Sequence, residues 1–158
     1  MDIKQKLLGV IPAGAVAILL TLLPYFEGVS LKAYRDSVGV WTICYGHTRG
    51  VTEGLVVSMA QCAAWLEEDI RIALDAVDRN VRVPITEVER AALGDFVFNL
   101  GEPALQRSTL LRLVNAGRKV EACNEYQRWV NAGGRKLAGL VKRRNVDEWL
   151  CRYKSPPP

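Results

Sequence analysis

From Leu7 to Phe26 the chain runs for 20 residues without a charged side chain, LLGVIPAGAVAILLTLLPYF. A stretch of this kind must be taken out of water, either into a bilayer or into a core. As one helix rising about 1.5 Å per residue it is just long enough to cross about 30 Å of hydrocarbon. Lys4 and Lys6 precede it, and the positive-inside tendency then leaves residue 27 onward outside the cytoplasm. Two other readings compete. AGAVA offers small-residue cleavage sites, but a cut there leaves only a short apolar core behind it. Gly9, Pro12, Gly14 and several alanines make the segment weakly hydrophobic, as in a core helix of a soluble protein. Residues 1–26 are taken here as a membrane-capable segment. Its weak hydrophobicity suits a helix that enters a bilayer and later leaves it.

At 158 residues the chain fits one domain with its own core. The net charge of +4 is uneven, about +7 over residues 112–158 and −3 over residues 1–111. A basic carboxyl-terminal part favours an anionic partner. Nucleic acid, acidic lipid and bacterial wall qualify, and a solvated basic face is the plain alternative. No nucleic-acid-binding motif is recognisable. Cys44, Cys62, Cys123 and Cys151 form no CxxC pair and His47 is the single histidine, which argues against a metal site. An even cysteine count in an exported chain points to two disulfides, with three pairings open; in a cytosolic chain the alternative is four buried thiols.

Residues 31–52 are short, alternating and punctuated by glycine, which reads as a small antiparallel β region. Ser58 with Gln61 opens a long helix to about residue 79. Thr86 with Glu89 opens a second, which runs to Leu100 and stops at Gly101. Ser108 opens a third that ends near Gly117; others cover about 118–130 and, after Gly133 and Gly134, about 136–152. Residues 27–154 then form one α+β, mainly helical unit. A small antiparallel β lobe and a helical lobe are joined by the long helix, with a cleft between them. Residues 155–158, with Pro156, Pro157 and Pro158, form an exposed tail.

The chemistry-bearing residues cluster early. Glu27 is followed after eight residues by Asp36, after five more by Thr42, and then by Gly46 and His47. Two carboxylates, one protonated and one ionised, are the minimum equipment for cleaving a glycoside. Glu27 follows Leu22, Leu23, Pro24, Tyr25 and Phe26, an apolar setting that suits a proton donor. Asp36 sits in a polar turn beside Arg35 and Ser37, which suits a base or a charged partner that holds water. Taken alone, Glu27 also reads as a helix-ending surface acid, Asp36 as a turn former and Thr42 as a plain strand residue.

The string Glu27, Asp36, Thr42, Gly46-His47 resembles the active-site segment of the T-even-type phage lysozymes. FVFNLG (96–101), STLLRLVNAG (108–117), Arg128-Trp129, Gly133-Gly134 and GLVKRR (139–144) follow in family order. The likeness covers about residues 25–152 and is nearest to the lambdoid endolysins that carry a signal-arrest-release (SAR) segment. It implies a lysozyme-like fold and a muramidase that hydrolyses the β-1,4 bond between N-acetylmuramic acid and N-acetylglucosamine in peptidoglycan, by inversion and without a cofactor. Glu27 is the implied acid, Asp36 the base, and Thr42 the group that orients water. His47 and Asp69 are implied to form a structural pair. Cys44–Cys62 and Cys123–Cys151 are the favoured disulfides, each within one half of the family fold. Phe98 matches a cleft-facing aromatic, although core packing explains it as well. Ser108 and Thr109 match cleft-lining positions, although Ser108 is also a helix cap. Within Lys142–Arg144, Arg143 is expected to pair with Glu27, to approach an anionic saccharide, or to lie on a solvated face. Trp65, Trp129 and Trp149 read as core, and Trp41 as a possible sugar platform. The resemblance also implies a monomer held inactive at the host inner membrane through residues 7–26 and then released to the periplasm. A silent wall-binding protein of the same fold, or a basic nucleic-acid binder, are the rival readings.

Overall fold

The computed structural model describes residues 1–156, so Pro157 and Pro158 of the expected tail lie outside the described residues; Ser155 and Pro156 are exposed. The charge-free run is not one helix. It divides into α1 (Ile3–Val10), a 3-10 turn (Ile11–Ala13) and α2 (Ala15–Glu27). The break lies at Gly14, whose φ of +95° and ψ of −178° belong to a region essentially open only to glycine. The freed N–H of Ala15 donates to Glu87 Oε1 at 3.2 Å, a cap supplied from 72 residues away. Among the described residues no helix is long and apolar enough to cross a membrane. In this fold the run is two short helices and a turn, not the single helix that a spanning form needs. Ile3, Leu7, Ile11, Ala15, Ile18, Leu19, Leu22 and Leu23 are all buried in the main core.

The hairpin follows at once. β1 (Ser30–Arg35) pairs antiparallel with β2 (Trp41–Cys44), with Tyr34 opposite Thr42 and Arg35 opposite Trp41. Its small core of Ala33, Ile43, Cys44, Val51 and Cys62 is tied to α3 (Met59–Asn80) by the Cys44–Cys62 disulfide. Ser58 caps α3, accepting from the Gln61 N–H, and Cys62, Leu66, Ile70, Ala73, Leu74 and Val77 form its buried stripe.

α4 (Glu87–Leu100) is the central element. Thr86 and Glu89 form a reciprocal capping box at its start. Gly94 lies where three helices meet: a Cβ there would sit 2.9 Å from both Leu19 Cδ1 of α2 and Leu74 Cδ2 of α3. Only a residue without a side chain permits that approach.

Around α4 stand α5 (Glu102–Gln106), α6 (Thr109–Asn115), α7 (Lys119–Glu125) with a 3-10 turn (Tyr126–Arg128), and α8 (Ala138–Arg152). Two-residue strands, β3 (Asn131–Ala132) and β4 (Arg135–Lys136), flank Gly133-Gly134. The Cys123–Cys151 disulfide joins α7 to α8, so both bridges follow the pairing implied by the family resemblance. α5 and the β3–β4 hairpin were not anticipated, and the expected helix at 118–130 is shorter, ending in the 3-10 turn.

Candidate active site

Glu27 is the last residue of α2, and Gly28 ends the helix by donating its N–H to the Pro24 carbonyl. The side chain is 23% exposed. One oxygen, Oε1, accepts from Arg143 Nη1 at 2.7 Å. The other faces Gly46, where an added Cβ would lie 3.5 Å from Oε2. The setting is therefore not the wholly apolar one expected: a guanidinium fixes one edge of the carboxyl.

Arg143 was one candidate for contact with an anionic saccharide. The structure has instead the other expected contact, the pair with Glu27. Arg143 is 5% exposed, and its Nε and Nη2 grip Asp95 at 3.1 and 2.8 Å. Burial disfavours its charge, but Asp95 and Glu27 outweigh that and hold it firmly protonated. Arg144 is also buried, between Asn99 and Asp147, so of Lys142–Arg144 only Lys142 lies on the surface.

Asp36 opens the hairpin turn. Its Oδ1 accepts from the Val38 N–H at 3.0 Å and the Val40 N–H at 2.8 Å, while its own N–H donates to the Val40 carbonyl. The turn thus locks the carboxyl's direction through one oxygen. Thr42 lies two residues past Val40 and pairs with Tyr34, so strand alternation puts Thr42 on the hairpin face of Tyr34 and Asp36. Its hydroxyl is buried and donates to the Val40 carbonyl at 3.0 Å. Its remaining capacity is as an acceptor.

His47 Nδ1 lies 2.8 Å from Asp69 Oδ2 on α3. The ring stacks on Trp65 with centroids 4.4 Å apart, and Arg49 Nη1 completes the group at 2.6 Å from Asp69 Oδ1. These contacts pin the loop carrying Gly46 against α3.

A cleft of about 320 Å³ lies between that loop and the helices. Gly46 and Thr48 line one wall, Asp69 and Arg79 the α3 side, and Phe98 the α4 side. Phe98 packs against the core and also lines this cavity. Ser108 does not reach a cleft. It is buried, its hydroxyl donates to the Leu105 carbonyl at 2.7 Å and accepts from the Leu111 N–H at 3.0 Å. Those bonds cap α6 and leave nothing for a sugar. Thr109 is exposed on the first turn of α6. Trp41 is partly exposed with the Arg35 guanidinium 4.9 Å above its ring, so a saccharide would have to compete for that face.

Two larger cavities, of about 480 and 370 Å³, surround the Cys123–Cys151 end. Their one carboxylate, Glu89, is held by Lys119 at 2.7 Å and accepts from the Thr86 N–H at 3.3 Å in the α4 cap. Neither they nor the cleft of about 320 Å³ are lined by Glu27, Asp36 or Thr42; the cleft meets Glu27 through Gly46. Asp95, which sequence reasoning passed over, is the most consequential addition. It is fully buried on α4 and touches the same guanidinium that holds Glu27.

A family model for phage lysozyme matches residues 24–147. A SAR-endolysin of Bacteriophage PS119 is 36% identical over 96% of this chain and 95% of its own length. Among solved structures, the muramidase domain of SpmX from Asticaccaulis excentricus superposes with a TM-score of 0.79 at 34% identity, covering 85% of this chain and 95% of that one. The active form of the P1 phage endolysin Lyz matches over 96% of this chain and 93% of its own, with a TM-score of 0.76 and 25% identity. The secreted inactive form of that enzyme matches over only 65% of this chain and 74% of its own, at 0.51 and 28% identity.

Proposed function

The chain belongs to the phage lysozyme family, and from that premise we propose that it is a phage endolysin that hydrolyses the β-1,4 bond between N-acetylmuramic acid and N-acetylglucosamine in peptidoglycan. Glu27 protonates the glycosidic oxygen, and Asp36 draws a proton from the attacking water. Thr42, whose own proton is committed to Val40, accepts a hydrogen bond from that water and orients it. The reaction proceeds by single displacement with inversion, which calls for carboxyls about 6.5–9.5 Å apart. The observation that carries this reading is Glu27 itself: a carboxyl clamped at one oxygen by a buried arginine and turned with the other toward Gly46 at the cleft.

Residues 1–26 give the enzyme its timing. In the membrane-tethered form the run Leu7–Phe26 is one helix and the protein is inactive. Ile18, Leu19, Leu22 and Leu23, each fully buried in the fold, are then in lipid. Each such side chain contributes about 1.5–3 kcal/mol when buried. The four together contribute about as much as a domain's whole net stability of about 5–15 kcal/mol. A tethered chain therefore cannot keep this core, nor hold Glu27 against Arg143. The closer likeness to the active form of the P1 enzyme than to its inactive form supports reading this fold as the released, periplasmic state.

Turbidity clearing of permeabilised Gram-negative bacteria tests the chemistry. The wild-type protein should clear the suspension and Glu27→Gln should not. A Glu27→Gln protein that still lyses cells refutes the assignment. Equal specific activity of membrane-bound and released fractions refutes the tether.

A further inference from the structure

An acid that must carry a proton sits 2.7 Å from an arginine. An unopposed guanidinium at that distance favours the ionised carboxylate, and a proton donor needs the opposite. The buried side of the site resolves the conflict. Arg143 turns one whole edge inward, with Nε 3.1 Å from each oxygen of Asp95 and Nη2 2.8 Å from Oδ1. Only Nη1 is directed to Glu27.

Asp147 of α8 is fully buried, and neither of its oxygens has a hydrogen-bond partner. The nearest cation, Arg144 Nη1, stands 3.4 Å from Oδ2 without donating a hydrogen bond. An ionised carboxylate left so is costly, so Asp147 keeps its proton. Burial, reinforced by the charge of Asp95, pushes the Asp147 carboxyl well above the ordinary range. Burial also pushes Asp95 upward, but Arg143 outweighs it and Asp95 remains ionised.

We infer that Asp95 is a positioning residue for proton donation: by neutralising Arg143 from the buried side, it lets the arginine aim Glu27 without stripping the proton that Glu27 must give. The inference rests on the reading of Glu27 as proton donor. The charged and titratable groups that face this chain are Arg143, Arg144 and Asp147 from α8, Asp95 from α4 and the Tyr126 phenol after α7. The Phe26 ring lies 5.3 Å from the Arg143 guanidinium, and Gly46 covers Glu27 Oε2.

The test is the pH dependence of kcat and KM on solubilised peptidoglycan fragments. Asp95→Asn keeps the shape and removes the charge. Arg143 then acts on Glu27 alone, and the alkaline limb of the kcat profile should move down by about one pH unit, the lower end of a neighbouring charge's effect. That is about a tenfold loss at neutral pH, recovered on acidification, with KM little changed. Arg143→Met removes the cation and should move the limb upward. Asp147→Asn replaces one neutral buried group by another and should leave the profile in place. A folded Asp95→Asn enzyme whose limb does not move overturns the inference, as does a loss that acid fails to restore. If Asp95→Asn does not fold, Arg143→Met decides, and a limb that stays or falls overturns it. Glu27→Gln, assayed alongside, separates the two readings: turnover there refutes the proton-donor role itself, whatever the limbs do.

Discussion

Replacing Gly14 by alanine acts on both proposed states of the leader, in opposite directions. In the fold, Gly14 holds φ +95° and ψ −178°, which costs a residue with a side chain about 2 kcal/mol. The new Cβ would also stand 3.2 Å from Glu87 Oε1, the oxygen that caps α2 through the Ala15 N–H. Losing that cap costs about 1 kcal/mol. In a continuous spanning helix the same change removes an interior glycine and stabilises by about 1 kcal/mol. All three terms favour the membrane, by about 4 kcal/mol, or nearly three decades in the partition. The assay is fractionation of cells that express the full chain, following membrane-bound and released protein over time. The released protein should also melt about 6–12 °C lower, from about 3 kcal/mol lost in the fold. Gly9→Ala is the control: it lies inside α1 with nothing within 4 Å of its added Cβ, so it stabilises both helices alike, leaving the partition near wild type and raising the melting temperature by about 2–4 °C. A Gly14→Ala protein released as fast as wild type, or melting with it, would refute the reasoning.

Three further outcomes are expected. His47→Asn removes the 2.8 Å bond to Asp69 and the stacking on Trp65; urea titration should show a loss of about 1–3 kcal/mol, while the folded variant keeps its turnover. Reduction of the disulfides should lower stability by about 3 kcal/mol for each bridge, given loops of 18 and 28 residues, as measured by denaturation with and without a reductant. Asp147→Asn should raise stability increasingly as pH climbs above about 4. The buried Asp147 carboxyl binds its proton more tightly in the fold than in the open chain, so the wild-type protein loses stability as pH rises through that interval and the amide does not. Melting curves across the pH range that differ by a constant would contradict this.

The readable parts of this sequence are those governed by local chemistry. Ser58 and Thr86 each start a helix by capping it with their own hydroxyls, and the Asp36 turn closes through neighbouring amides. The charge-free run leaves two readings open because hydropathy alone does not separate one spanning helix from two short ones buried by their neighbours. α2 is hidden by α3 and α4, and Glu87 caps it from far along the chain. The pair of Arg143 with Glu27 is among the expected contacts and is present; the burial of Arg143 is not legible, because Asp95, 48 residues earlier, folds beneath it. Ser108 had two readings, and only the bonds to Leu105 and Leu111 decide between them. α5 escaped notice because five residues starting Glu102-Pro103 carry no periodicity to detect.

Both disulfides lie wholly beyond Glu27, joining Cys44 to Cys62 and Cys123 to Cys151. If the leader is held in lipid as proposed, no covalent bond has to wait for it to leave, and oxidation and departure run on separate clocks. Enzyme that is cross-linked but unassembled at its core would then accumulate along the membrane. Its discharge would need no thiol chemistry, only the noncovalent docking of α1 and α2. Reductants would shorten the life of such freed enzyme without changing the moment of lysis.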